Sequence, residues 1–133
     1  MPQSLQVSGG VELIAGVSRD PVFGPVVMVG LGGIYAEILK DVAVQVAPVS
    51  EAEALCMIRS LRMFPLLDGA RGQARADVAS AARTVARLSE FACRHANDVG
   101  EIDLNPIVVK PEGQGVLVLD ALMVPRAVQA PAE

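Results

Sequence analysis

Glycine and proline residues divide this chain into short segments, and this punctuation limits what the chain can fold into. Turn chemistry at Asp20-Pro21, at Gly24-Pro25 and in the glycine-rich residues 30–33, followed by Pro48, leaves room only for short β-rich runs in the first third. Two segments with helical spacing come next, and two further β-rich runs follow them. The order β-β-β-α-α-β-β predicts an α+β domain, with two helices packed on a mostly antiparallel sheet.

The helix starts have clear local signals. Ser50, with Glu53 three residues later, forms a capping-box pattern that predicts the start of the first helix. Asp77 is the predicted N-cap of a second helix, which ends near Asn97. Residues 64–72 are predicted to be a loop, and residues 34–39 either stay extended or begin a short irregular element. The predicted strands cover residues 11–17, 26–29, 42–46, 102–109 and 116–124.

Composition excludes several classes of protein. At 133 residues the chain is long enough for one domain with its own core, which we expect over residues 11–124, between a flexible lead-in (1–10) and a tail (125–133). The hydrophobic fraction is 52% and the aromatic fraction only 3%, so Ala, Val, Ile and Leu must build that core. The net charge of −4 argues against a nucleic-acid-binding surface, and the high apolar content argues against disorder.

Membrane and secretory segments are also not expected. The longest uncharged run, residues 21–36, is too short to span a bilayer and contains several glycines and prolines. The N-terminal residues lack the pattern of a signal peptide. Cys56 and Cys93 are far apart and lack metal-binding spacing, which predicts buried, reduced thiols in a cytoplasmic protein.

The segment around Asp103 is the most informative for chemistry. In a strand, Glu101, Asp103 and Asn105 would share one face, while Ile102 and Leu104 would take the other. A four-residue hairpin loop at 111–114 would pair Lys110 with Gly115, and the same register would put Asn105 opposite Asp120. A slip of one residue would turn Asp120 to the other face.

Asp120 is the only charged residue within 116–124, and a lone buried carboxylate is costly unless it is paired or binds a metal. Asp103, Asn105 and Asp120 together would offer the oxygen ligands that Mg²⁺ takes in proteins. On spacing alone, a solvated sheet edge with scattered acids explains the pattern equally well.

Two other features have both a functional and an ordinary interpretation. The glycines at 30, 32 and 33 are consistent with backbone N–H groups placed around an anion, and also with a simple turn between strands. Arg71, between Gly69 and Gly72, is suited to contact a phosphate, although arginines are also common in surface loops.

Several motifs resemble one enzyme family. In collinear order from about residue 10 to residue 123, the chain resembles the ATP-grasp part of NDP-forming (ADP-forming) acyl-CoA synthetases, which are related to the succinyl-CoA synthetase β subunit. The motifs that carry the resemblance are ELIAGV from Glu12, RDPVFGP from Arg19, GLGGI from Gly30, EILKD from Glu37, LLDGARG from Leu66 and EIDLNP from Glu101.

The resemblance implies an enzyme that interconverts acyl-CoA, ADP and phosphate with a carboxylic acid, CoA and ATP. It implies that Mg²⁺ lies between the nucleotide phosphates and three residues, Asp103, Asn105 and Asp120. It also implies nucleotide or phosphate binding at Glu12, Gly30, Gly32 and Gly33, and a catalytic role for Arg71.

The resemblance covers only the C-terminal subdomain of an ATP-grasp unit. It therefore implies partners that supply the N-terminal subdomain, the CoA-binding domain or subunit and the site for the acyl-CoA or carboxylate substrate. By itself the chain is expected to be inactive, and it is a possible homo-oligomer. The alternative is a non-catalytic regulatory or interaction module derived from such a synthetase.

Overall fold

Six antiparallel strands form one sheet in the computed structural model, which describes residues 10–32, 38–72 and 74–126. Along the sheet the order is β3-β2-β1-β4-β5, and β6 pairs with the first half of β4, beside β5. The α+β class expected from the sequence is confirmed. The strands are β1 (Val11–Asp20), β2 (Gly24–Leu31), β3 (Val42–Val46), β4 (Val99–Val109), β5 (Val116–Val118) and β6 (Ala121–Pro125).

Both helices begin at the predicted caps. Helix α1 (Glu51–Arg59) has the complete capping box: the Ser50 hydroxyl accepts a hydrogen bond from the Glu53 N–H at 3.0 Å, and the Glu53 carboxylate accepts one from the Ser50 N–H at 2.8 Å. Helix α2 (Val78–Arg94) is capped by Asp77 and ends three residues before the predicted Asn97. The predicted loop between the helices contains two short 3₁₀ helices, Phe64–Leu66 and Ala70–Gly72.

The core lies between the helices and one face of the sheet. It is aliphatic, as the composition requires, because Ala, Val, Leu and Ile supply nearly all of its buried side chains. We call the opposite face of the sheet, which carries Glu12, Gly16, Met28 and Asp103, the open face, since neither helix packs on it. The buried strand residues on the helix side are Leu13, Ala15, Val17, Val27, Val29, Leu31, Ile102, Ile107 and Val109.

A β-bulge in β4 changes which of its residues face the core. Leu13 pairs with Ile107 but Ala15 pairs with Leu104, so Ile14 alone faces both Asn105 and Pro106. This β-bulge adds one residue to β4 and reverses its alternation. Ile102 and Ile107 therefore both reach the core, although they are five residues apart.

The structure differs from the sequence expectations for residues 116–124 and for the two cysteines. Residues 116–124 form two short strands rather than one, with a break at Leu119 and Asp120. Cys56 and Cys93 are free thiols as predicted, but Cys56 is exposed and Cys93 only half-buried, because both lie off the core face of their helices. Residues 1–9, 33–37, 73 and 127–133 lie outside the described part, and so do the predictions for the lead-in, most of 34–39 and most of the tail.

Within the described residues, no helix has the length and apolar character needed to cross a bilayer.

Candidate functional site

The predicted pairing of Asn105 with Asp120 is confirmed. The Lys110 N–H donates to the Gly115 carbonyl at 3.0 Å, and the Asn105 N–H donates to the Asp120 carbonyl at 3.1 Å. Residues directly opposite each other in an antiparallel pair have neighbouring side chains on the same face. Asn105 and Asp120 therefore lie opposite each other at the break between β5 and β6, and both residues are exposed.

Asp120 is exposed rather than buried. It lies at the break between β5 and β6, near the edge of the sheet, where no helix covers it. The cost of burying a charge is therefore not an argument for a metal at Asp120. The remaining argument for a metal there is the position of Asp120 opposite Asn105.

Asp103 lies two residues before Asn105 on β4, opposite Gly16 of β1. A Cβ atom at position 16 would lie 2.9 Å from the Ile102 carbonyl oxygen and 3.5 Å from Asp103 Oδ1. The Asp103 carboxylate therefore occupies the space beside Gly16. A cavity of about 150 Å³ opens here on the open face, lined in part by Gly16, Met28, Glu101 and Asp103.

Glu12 and Gly32 form a second contact on the same face. The Gly32 N–H donates to the Glu12 carbonyl at 2.9 Å, and a Cβ at position 32 would lie 3.0 Å from the Glu12 Cβ. Glu12 pairs with Val108, so it lies two residues along β1 from Ile14, which faces Asn105. Glu12 thus flanks the pair of Asn105 and Asp120.

The glycine segment does not present a row of free N–H groups. The Gly32 N–H is already bonded to Glu12, and Gly30 lies within β2, paired with Ile14 on one side and Val42 on the other. For these two residues the structure favours strand and turn geometry over an anion-binding loop. Gly33 lies outside the described residues. Arg71 lies in the short helix Ala70–Gly72, and its side chain is outside the described part.

Other residues of the family-like motifs have structural contacts instead. Arg19 donates hydrogen bonds to the Ala96 and Val99 carbonyls and so holds the turn between α2 and β4. Asp20 accepts from the N–H groups of Val22 and Phe23, both at 2.9 Å, and closes the β1–β2 turn.

Asp41, only 4% exposed, joins the start of β3 to the end of α1. Its carboxylate accepts from the N–H groups of Arg62 and Met63 at 2.7 and 2.9 Å. Nothing in the local sequence signals this contact, because its partners are more than 20 residues away.

The residues on the open face fit a divalent cation held partly by other ligands. Within the described residues, no three His, Cys, Asp or Glu side chains are arranged to hold a metal ion by themselves. Asp103, Asn105 and Asp120 supply two carboxylates and one amide on neighbouring strands. Mg²⁺ commonly takes one or two carboxylates and completes its shell with water and phosphate oxygens, so these residue types match its chemistry.

Two contributors to this region were missed by sequence reasoning. Gly16 leaves space for Asp103. It could have been recognised in the sequence as a glycine inside a strand, because such a glycine often marks the close approach of another group. Asp77 was identified only as a helix cap, yet its carboxylate also accepts from the Gly115 N–H at 2.8 Å. Burial raises the pKa of Asp77, but the hydrogen bonds from Gly115, Ser80 and Gly113 together lower it by more. The pKa of Asp77 therefore lies below the ordinary value of an aspartate.

Comparison with known proteins gives one consistent result. The ATP-grasp domain family matches residues 2–124. A 4-hydroxybutyrate–CoA ligase (ADP-forming) from Nitrosopumilus maritimus is 43% identical over 114 residues, which are 86% of this chain and 16% of that protein. The β subunit of an acetate–CoA ligase I (ADP-forming) from Pyrococcus furiosus is 43% identical over 115 residues, 86% of this chain and 48% of the subunit.

A solved structure agrees with these relatives. The dinucleotide-forming acetyl-coenzyme A synthetase 1 of Ca. Korarchaeum cryptofilum, in complex with coenzyme A and Mg-AMPPCP, superimposes with a TM-score of 0.82 at 40% identity. The match covers 88% of this chain and 54% of that chain. This chain therefore spans about half of the matched β subunit and about a sixth of the matched ligase.

Proposed function

Because this chain belongs to the ATP-grasp domain family, we propose that it is the Mg²⁺- and nucleotide-binding C-terminal subdomain of an NDP-forming acyl-CoA synthetase. The reaction proposed for the whole assembly is acyl-CoA + ADP + phosphate ⇌ carboxylic acid + CoA + ATP. The observation that carries the proposal is the pairing of Asn105 with Asp120 on the open face, two residues from Asp103. The relatives that match this chain carry names of ADP-forming ligases.

In this proposal the open face forms one wall of the nucleotide site. The Asn105 amide oxygen and the Asp120 carboxylate hold Mg²⁺, and Asp103 beside Gly16 contributes a further carboxylate. Mg²⁺ bound there supplies positive charge next to the nucleotide phosphates. Glu12 borders the site along β1.

The rest of the site is proposed to come from other parts of the assembly. The chain spans about half of the matched β subunit, so we propose that an N-terminal ATP-grasp subdomain covers the nucleotide from the opposite side. A CoA-binding domain or subunit and the acyl substrate complete the assembly. Arg71 is proposed to contact phosphate from the loop before α2, and the free cysteines are compatible with a cytoplasmic location.

Cation binding by the full chain is the direct test. We expect Mn²⁺, a usual substitute for Mg²⁺ at oxygen sites, to bind at one site that electron paramagnetic resonance detects. Asp103→Asn and Asp120→Asn should each weaken Mn²⁺ binding by about tenfold or more, because each removes a charged ligand. Asp98→Asn removes the same charge at an exposed position outside the site and should leave binding unchanged.

Nucleotide binding is measured by calorimetric titration of Mg²⁺-ADP into this chain joined to an N-terminal ATP-grasp subdomain. Binding that is lost in Asp120→Asn and kept in Asp98→Asn supports the proposal. If Mg²⁺-ADP binds equally well to the wild-type protein and to both site variants, the metal assignment is wrong. If neither cation nor nucleotide binds, a non-catalytic module becomes the better interpretation.

A further inference from the structure

One buried aspartate joins the start of α2 to the β4–β5 hairpin. Asp77 is 7% exposed. Its Oδ1 accepts from the Ser80 N–H at 3.2 Å, which caps the helix. Its Oδ2 accepts from the Ser80 hydroxyl at 2.9 Å and from the Gly115 N–H at 2.8 Å. A single carboxylate therefore serves the helix and the hairpin together.

Backbone contacts reinforce this junction. The Asp77 N–H donates to the Lys110 carbonyl at 2.7 Å, and the Glu112 N–H donates to the Arg75 carbonyl at 2.8 Å. The Gly115 carbonyl in turn accepts from the Lys110 N–H at 3.0 Å, so Gly115 is held both by the residue that follows β4 and by Asp77. Gly115, the residue at which the hairpin closes, is therefore held by a side chain from outside the hairpin.

The apolar side chains of β5 do not by themselves define the register of this hairpin. Residues 116–119 read Val-Leu-Val-Leu, so both faces of the strand are apolar. Leu117, Val118 and Leu119 are 41%, 39% and 41% exposed, and only Val116 at the start of β5 packs against the core. Burial of one face is one way to specify register, and turn geometry is the other. A slip of one residue would change little apolar burial here, so the register depends on the turn that Gly115 closes.

Such a slip would nevertheless separate the proposed ligands. Asp120 lies five residues after Gly115, and Asn105 lies five residues before Lys110. Both pairs belong to one ladder, in which the Leu119 N–H also donates to the Pro106 carbonyl at 3.0 Å. A one-residue slip turns Asp120 to the other face and leaves Asn105 without its neighbour.

We propose that Asp77 is a positioning residue, which fixes the register of the β4–β5 hairpin through Gly115 and thereby holds Asp120 opposite Asn105. The importance of that pair rests on the metal site proposed above. The register itself does not, and it can be measured without metal.

The test is amide hydrogen exchange, followed by NMR, on the metal-free full chain. In Asp77→Ser the hydroxyl still caps α2, since Ser and Asp are comparable N-caps, but it is too short to reach Gly115. We expect the Asn105 and Leu119 amides to exchange about tenfold faster or more, as for loss of a hydrogen bond to a charged group. The Gly32 amide, bonded to Glu12 elsewhere in the sheet, should keep its rate.

Two further variants separate positioning from general stability. Ser50→Ala removes a comparable cap from α1 and should leave the Asn105 and Leu119 amides protected. Asp77→Asn keeps the shape of the side chain with one carbonyl oxygen in place of two carboxylate oxygens, so its exchange rates should fall between those of wild type and Asp77→Ser. It also provides the measurement if Asp77→Ser does not fold.

Two results would overturn the proposal. One is an Asp77 variant in which only the Gly115 amide loses protection while Asn105 and Leu119 keep theirs. The other is equal acceleration in Ser50→Ala. A Mn²⁺ titration of the same variants should show weaker binding in Asp77→Ser and wild-type binding in Ser50→Ala. If the wild-type chain binds no Mn²⁺, the proposed metal site fails, and the exchange rates still decide the register.

Discussion

Close backbone contact at Gly16 determines where the Asp103 carboxylate can lie. The position of a Cβ at residue 16 is 2.9 Å from the Ile102 carbonyl oxygen, closer than a real Cβ can approach backbone. A side chain here would push β1 away from β4 at the pair that carries Asp103. The glycine is therefore required by the space between two strands, and its effect extends to the candidate site.

Replacing Gly16 by alanine should consequently cost both stability and cation binding. We expect Gly16→Ala to lower the free energy of unfolding by about 1–3 kcal/mol, as for overpacking in general, and to weaken Mn²⁺ binding because Asp103 must move. Urea denaturation and Mn²⁺ titration measure the two effects. Ser18→Ala, at the next open-face position of β1, is the matched control. A Gly16→Ala variant as stable as Ser18→Ala would contradict this account.

At the scale of elements, features that depend on neighbouring residues were easier to predict than features that depend on residues far apart in the sequence. The caps at Ser50 and Asp77 were predictable, because a few neighbouring residues determine each. The hairpin register from Lys110 to Asp120 followed once a four-residue loop was assumed. The break at Leu119 was not, since an unbroken apolar run gives no sign of where pairing changes from β5 to β6.

The bulge at Asn105 and the Asp77–Gly115 contact depend on strands and helices that meet only in the folded chain. For the candidate site, the sequence therefore predicted the pairing of Asn105 with Asp120. It left open whether Asp120 is buried or exposed, and it did not predict that Gly16 and Asp77 support the arrangement.

The junction between the entry to α1 and the middle of α2 depends on one buried hydroxyl. Ser89 is fully buried, accepts from the Val49 N–H at 2.9 Å and donates to the Ala86 carbonyl at 2.7 Å. In Ser89→Ala the Val49 N–H would remain buried without a partner, which costs about 1–3 kcal/mol.

Thermal or urea unfolding measures this loss for Ser89→Ala. Thr84→Ala removes a hydroxyl from the same helix, but that hydroxyl contacts only the Ser80 carbonyl within the helix. Alanine is also the better helix former, so Thr84→Ala should be neutral or slightly stabilising. Equal stability of the two variants would show that the Ser89 hydroxyl does not join the helices.

At the scale of the whole molecule, the sheet leaves apolar side chains exposed at both of its edges. On β3, which ends the sheet among the described strands, Val42, Val44 and Val46 are 40%, 59% and 45% exposed. On β6, Leu122 is 60% exposed. Large exposed apolar patches in a folded chain usually mark surfaces that another protein covers, and the chain spans only about half of a related β subunit.

The β3 edge should therefore make the isolated chain self-associate as its concentration rises. Residues 42–46 contain no charge or proline that would discourage pairing at an edge strand. Light scattering coupled to gel filtration should show masses above the 13.9 kDa of one chain. Val44→Lys should restore the monomer, because it places a charge in the middle of the exposed β3 face.

Leu122→Lys makes the same kind of change on β6 and should not restore the monomer. A wild-type chain that stays monomeric at every concentration would contradict the prediction, and equal effects of the two lysines would show that association is not specific to β3.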